Sequence, residues 1–281
     1  MIVSLDAADP ESVPVRDAAT VMLVRDGSDG IEVFMLRRNL RSDFVGGAFV
    51  FPGGGVDAND GHEDLEQWCT GRTEEAASAI LGLERGGLSF WVAAVRESFE
   101  EAGLLLAVTP DGRAVRFDDP VTVDRFAGHR TAVDRGERTL LDVCRAEDIR
   151  LSVDGMHYFS RWITPLGAPR RYDTRFFVAH PPEGQIPAHD DREVIANLWI
   201  RPVDALERHA AGEFELIFPT VRSLESLATF VSADDAVRHA SVVSRIEPIL
   251  PTLVDGPHGL RILLPGDEQY DAVTSRRVED R

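Results

Sequence analysis

The chain has 281 residues and 43% hydrophobic content, enough for one large domain or two small ones. Its formal net charge of −18 argues against broad attraction to nucleic acid or anionic lipid, which needs a basic patch to release counterions. All 30 basic residues are arginine, which excludes a Schiff-base lysine, and the two cysteines, Cys69 and Cys144, have no zinc-site or disulfide-framework spacing.

Residues 1–15 read as a short, mobile leader: acidic, with neither the basic start nor the apolar core of a signal peptide. Ala18 to Arg25 and Ile31 to Arg38 are apolar, β-branched runs joined by Asp26-Gly27-Ser28-Asp29-Gly30, a hairpin signal. Ala48 to Phe51 is a third strand. It runs into Pro52-Gly53-Gly54-Gly55, read as a turn whose backbone can approach a ligand closely. From Asp57 to Gly87 the composition is polar and acidic, with a helix expected over Glu74 to Leu83.

Leu88 to Ala102 follows as a helix with an apolar stripe of Leu88, Val92, Val95, Phe99 and Ala102, closed by Gly103. Opposite the stripe, Glu97, Glu100 and Glu101 stand at i, i+3 and i+4 and share a face. A hard cation such as Mg²⁺ takes one or two such carboxylates and leaves its other positions to waters and phosphates. A solvated charged face would carry the same pattern.

Leu104 to Val108 is an expected strand and Val121 to Asp148 a charged helical stretch. Strands follow at Tyr158 to Ile163, Thr174 to Ala179 and Val194 to Ile200, then helices at Val203 to His209 and Thr220 to Phe230. The remainder, 232–281, offers a helix over Asp234 to Ile249 and a hairpin around Asp255 to Gly259 with Arg261 to Leu264 as its second strand. It is too short to fold alone and is expected to pack on the core. No apolar run is long enough to span a membrane.

The ordered set of strand, Pro-Gly turn and Arg96-Glu97-Ser98-Phe99-Glu100-Glu101-Ala102-Gly103-Leu104 resembles the signature of the Nudix hydrolases. Gly54 matches its opening glycine. Asp60 stands where its first glutamate belongs, Ser98 replaces an apolar residue, and 35 residues rather than seven separate Asp60 from Arg96, which leaves the role of Asp60 open. Phe34 to Arg38, Phe49 to Gly54, the long insertion, Arg161 to Pro165 and Arg171 to Phe177 resemble the acyl-coenzyme A diphosphatase branch. The likeness spans about residues 18–230.

The resemblance implies an α/β/α sandwich with a mixed sheet, a helical insertion at about 61–87, a domain over 16–231 and an extension over 232–281. It implies Mg²⁺ or Mn²⁺ held by Glu100 and Glu101, with Glu97 as a ligand or base, Arg96 fixing Glu97, and a Gly53 or Gly54 carbonyl completing the set. Glu193 is a further candidate acid or base. Arg37, Arg38, Arg161, Arg171 and Arg175 are candidates for substrate phosphates, although strand arginines are commonly surface residues. His157, His180 and His189 lack ligand spacing, and Trp162, Tyr172, Phe176 and Phe177 are either adenine platforms or core. The expected enzyme hydrolyses coenzyme A or acyl-coenzyme A to 3′,5′-ADP and phosphopantetheine or its acylated form. ADP-ribose or NADH is the alternative substrate, and a non-catalytic metabolite sensor the alternative role. A small-molecule partner, no nucleic acid or membrane, a cytoplasmic location and an open oligomeric state complete the reading.

Overall fold

The computed structural model describes residues 12–40, 46–188, 194–256 and 259–271; the leader's first eleven residues, His189 and Glu193 lie outside them. The chain opens with the expected hairpin, β1 (Val15–Gly27) and β2 (Gly30–Arg38). Strand β3 (Phe49–Val50) pairs with β2. The glycine run is then a strand rather than a turn: β4 (Gly53–Gly55) lies antiparallel to β1 in the register Ala18↔Gly55, Ala19↔Gly54 and Thr20↔Gly53. Glycine is needed here for close approach. A β-carbon at Gly53 would stand 2.6 Å from the Ala19 carbonyl oxygen and 2.4 Å from the Thr20 hydroxyl.

The insertion folds as two short 3-10 turns (Ala58–Gly61 and Glu63–Trp68) and helix α1 (Glu74–Leu81), which Thr73 caps through a bond from the Ala76 amide. Leu65, Ala77 and Leu81 are buried in the core, so the insertion is a packed buttress. Helix α2 (Leu88–Ala102) carries the glutamates and ends on left-handed Gly103. It is not the one-striped surface helix that the sequence suggests. Of its residues only Glu97 and Glu100 are not buried, because the sheet covers one side and the insertion the other.

Leu104 to Val108 forms only the short strand β5 (Ala107–Val108). Leu104, Leu105 and Leu106 are buried, but the Gln185 amide takes both backbone groups of Leu105, at 2.8 and 3.0 Å, in place of a neighbouring strand. The charged stretch divides into α3 (Pro120–Asp134) and α4 (Leu140–Glu147), separated by left-handed Gly136 and a Thr139–Asp142 capping box. Then come β6 (Arg150–Leu151), β7 (His157–Ile163), β8 (Arg171–Ala179), β9 (Val194–Ile200), α5 (Pro202–Ala210) and α6 (Phe218–Leu227). Helix α7 (Ala233–Val242) stops short of the expected Ile249. Pro248, which has no N–H for a helix, instead starts β10 (Pro248–Ile249) beside β7. The hairpin β11 (Thr252–Gly256) and β12 (Gly259–Leu263) ends the described fold.

The main sheet runs β10-β7-β8-β1-β2-β3, with β4 also on β1 and β9 also on β2. It is mixed, since β8 is parallel to β1 and β7 antiparallel to β8. One core, with Ala19, Val21, Phe34 and Phe177, lies under α2; the other, with Met22, Met35, Phe176 and Leu224, lies under α5 to α7. The result is the α/β/α sandwich. Among the described residues no helix is long and apolar enough to cross a membrane.

Candidate active site

Arg96 is the hub of the carboxylate cluster. Its Nε–H donates to Asp60 Oδ1 at 2.9 Å and its Nη2–H to Asp60 Oδ2 at 3.0 Å, a side-on bidentate pair across the whole insertion. Nη2–H also donates to the Gly55 carbonyl at 2.7 Å. Nη1–H reaches Glu97 Oε1 at 2.8 Å and Glu100 Oε2 at 3.3 Å. Asp60 is itself fixed by the Asp57 amide at 2.8 Å and is 3% exposed.

The glycine strand forms the floor of this cluster. A β-carbon on Gly54 would stand 2.4 Å from Glu97 Oε1, so only glycine lets that carboxylate lie against the strand. The Gly53 amide donates to Glu101 Oε2 at 3.0 Å. Strand and helix are thus joined through Glu97 and Glu101, two of the three glutamates that the helical spacing groups together. At the far end of α2 the Arg130 guanidinium donates Nε–H to the Glu100 carbonyl at 2.8 Å, a cation where the helix dipole favours one.

Burial outweighs the pull of Arg96 on the glutamates. It raises Glu97, with Asp60 and Asp57 adding repulsion, and it pushes Glu100 up to about 7, with Glu97 adding repulsion. Burial raises Asp60 as well, against its bonds to Arg96. For Arg96, burial works to lower the value, but the Asp60 hydrogen bonds and the surrounding carboxylates win and hold it protonated.

Among the described residues no three His, Cys, Asp or Glu side chains form a ready-made metal cluster, because Glu97 and Glu100 are turned to Arg96 and Glu101 to Gly53. The donor set nonetheless suits a hard divalent cation. It is all oxygen, two of its carboxylates already converge on one cationic nitrogen, and the missing side chain of Gly54 leaves Glu97 room.

The structure brings Gly53, Gly54, Arg96, Glu97, Glu100 and Glu101 together, and adds Asp60, whose role the widened spacing left open, and the Gly55 carbonyl, which sequence reasoning missed. The arginine candidates make contacts of their own. Arg161 makes a bidentate pair with Asp173 at 2.9 and 2.6 Å. Arg175, 2% exposed, bonds Asp17 at 2.8 Å and lies 4.2 Å from the Phe90 ring centroid. Arg171 donates to the Thr164 carbonyl at 3.2 Å, Arg37 sits over Phe49, and half-buried Arg38 is in register with Val194 at the end of β2. His180 faces Asp234 at 3.0 Å, and burial lowers His157. Trp162, Phe176 and Phe177 are buried in the cores, and Tyr172 is half-buried. Both cysteines are free, and burial pushes each thiol up to about 12.

The family model of the NUDT19 Nudix domain matches residues 84–227, just over half of the chain. The chain is 28% identical to acyl-coenzyme A diphosphatase NUDT19 of Gallus gallus over 91% of its length and 79% of that protein's. It is 29% identical to the Homo sapiens protein of the same name, over 86% of this chain and 73% of that one. Among solved structures, a NUDIX hydrolase from Alicyclobacillus acidocaldarius superposes with a TM-score of 0.66 at 26% identity, covering 81% of this chain and 97% of that one. The chain belongs to the Nudix hydrolases, in the family of the NUDT19 Nudix domain.

Proposed function

We propose that the chain hydrolyses the diphosphate linkage of coenzyme A or an acyl-coenzyme A, with Mg²⁺ or Mn²⁺, to 3′,5′-ADP and 4′-phosphopantetheine or its acylated form. The observation that carries the chemistry is the convergence of Glu97 and Glu100 on a single Arg96 nitrogen over a side-chain-free strand. The substrate class rests on the similarity to acyl-coenzyme A diphosphatases over most of both chains.

A diphosphate resists water because its charged oxygens repel a nucleophile. A bound divalent cation supplies neutralisation of that charge and a water of lowered pKa. Glu100, Glu101 and a Gly53 or Gly54 carbonyl would hold it. Glu97, partly open to solvent beside them, is placed to bind with them or to take the proton of the attacking water. Water's oxygen bonds to one phosphorus, the bridging P–O bond breaks, and the departing phosphate carries away the electron pair. Before a cation binds, Arg96 holds Glu97 beside this site.

The test is product analysis by mass spectrometry with Mg²⁺ or Mn²⁺ and a panel of coenzyme A, acyl-coenzyme A, ADP-ribose, NADH and nucleoside triphosphates. Metal-dependent release of 3′,5′-ADP from a coenzyme A compound is the expected result. Cleavage of another member alone keeps the chemistry and overturns the substrate. Silence across the panel, with or without metal, overturns the proposal in favour of a metabolite sensor.

A further inference from the structure

Arg96 spends its donors on two unlike sets of acceptors. Nε–H and Nη2–H go to Asp60 and the Gly55 carbonyl in three bonds of 2.7 to 3.0 Å. Nη1 alone serves Glu97 and Glu100, the second at 3.3 Å. We propose that Nη1 competes with the divalent cation for Glu97 and Glu100, and that Asp60 is the positioning residue that retains the guanidinium when those two carboxylates turn to the metal. This rests on the reading under Proposed function that Glu100 holds the metal, and on the ligand role, one of the two given there, for Glu97.

The two sets differ in mobility as well as in number. Asp60 is almost fully enclosed and is pinned by the Asp57 amide, so it cannot follow a departing partner. Glu97 and Glu100 are the two residues of α2 that are not buried, so they have room to reorient. A buried guanidinium that loses every carboxylate is heavily penalised. With Asp60 present, Arg96 keeps a bidentate ion pair after giving up both glutamates. Without the Asp60 charge, Glu97 and Glu100 are the ion partners left to it among the described residues, and a metal must strip a buried cation of its carboxylates to bind them.

The competition has a signature that simple scaffolding lacks. Loss of Asp60 alone weakens metal binding, whereas loss of Asp60 together with Arg96 restores it, because seat and competitor leave at once and the local net charge is unchanged.

The experiment titrates Mn²⁺ into the purified full chain and follows free Mn²⁺ by electron paramagnetic resonance, with circular dichroism as the check on folding. Asp60→Asn is expected to bind about 10- to 100-fold more weakly than wild type, the range for groups that support metal ligands from behind. Asp60→Glu, which keeps the charge, is expected to bind close to wild type. The double variant Asp60→Asn/Arg96→Gln is expected to regain most of the loss. Unchanged affinity in folded Asp60→Asn, or a double variant as weak as the single one, overturns the competition. Should Asp60→Asn fail to fold, the double variant decides alone: binding at least as tight as wild type supports the proposal, and binding ten times weaker overturns it. Glu100→Gln separates the two readings. If it binds Mn²⁺ as wild type does, the metal-ligand assignment fails and this proposal falls with it; if it loses Mn²⁺ while Asp60→Asn does not, the competition alone fails.

Discussion

Glu74 accepts the backbone amide of Leu88 at 2.9 Å, so a side chain of the insertion caps the helix that carries Glu97, Glu100 and Glu101. The same carboxylate takes the amides of Gly86 and Gly87 and the Ser78 hydroxyl, and Gly87, the residue at the cap position, has no side chain to offer. Close packing enforces the arrangement, since a β-carbon on Gly87 would lie 2.3 Å from the Ser78 nitrogen.

Replacing Glu74 with alanine should therefore destabilise the protein by about 1 kcal/mol, as loss of a helix cap does. Burial works against the Glu74 carboxylate, but its hydrogen bonds outweigh burial and lower its pKa. A lowered carboxylate stabilises the fold above the unfolded value and loses that contribution as pH falls through the folded value. In thermal melts the gap between wild type and Glu74→Ala should narrow as pH drops below about 4.5, the ordinary glutamate value. A constant gap down to pH 3 would contradict a charge-based cap.

Three adjacent glycines should respond differently to one added methyl group. At Gly54 the methyl first meets the carboxylate end of the Glu97 side chain rather than backbone, so Gly54→Ala should fold normally but lose much of its turnover. At Gly53 it meets the Ala19 and Thr20 backbone, and the expected loss is stability. At Gly55 nothing among the described residues lies within 4 Å and the substitution should be nearly silent. Melting curves and steady-state kinetics on the three variants separate these outcomes. Equal kinetic loss at Gly54 and Gly55 would dissociate the strand from the positioning of Glu97.

The grouping of Glu97, Glu100 and Glu101 was legible because helical spacing is a local property and Gly103 marks the helix end. The helix over Glu74 was equally legible, with Gly71 and Gly86-Gly87 as its bounds. The Asp60–Arg96 pair was not, because it depends on how the insertion returns on itself, a long-range matter that spacing does not encode. The strand at Gly53–Gly55 was missed for a related reason: three glycines have no strand propensity, and the requirement for them comes from β1 and Glu97, distant in sequence. The break between α3 and α4 did have a local signal, Gly136 followed by Thr139 and Asp142, which the charged run obscured.

Ser98 stands where the family signature has an apolar residue. It is 0% exposed, and its hydroxyl has no hydrogen-bond partner among the described residues. An unpaired buried hydroxyl costs on the order of 1–3 kcal/mol, and alanine is the better helix former. Ser98→Ala is expected to raise the melting temperature and leave turnover unchanged. A lower melting temperature would show that the hydroxyl is satisfied in solution.

Glu100 should show opposite effects on stability and activity. Burial raises its pKa from 4.5 to about 7, so between these values the folded, chelator-stripped protein binds more protons than the unfolded chain. Stability then falls as pH rises across that window, the reverse of an ordinary salt-bridged carboxylate. Glu97 and Asp60, also raised, act in the same direction. Glu100→Gln removes the ionisation but keeps the volume. In the presence of chelator its melting temperature should equal or exceed that of wild type above pH 7, with a shallower slope between pH 4.5 and 7. In the presence of Mg²⁺ its turnover should fall by orders of magnitude, because the carboxylate that burdens the fold is one the proposed reaction requires. A variant that loses stability and activity together at pH 8 would show Glu100 to be a structural ion-pair partner of Arg96.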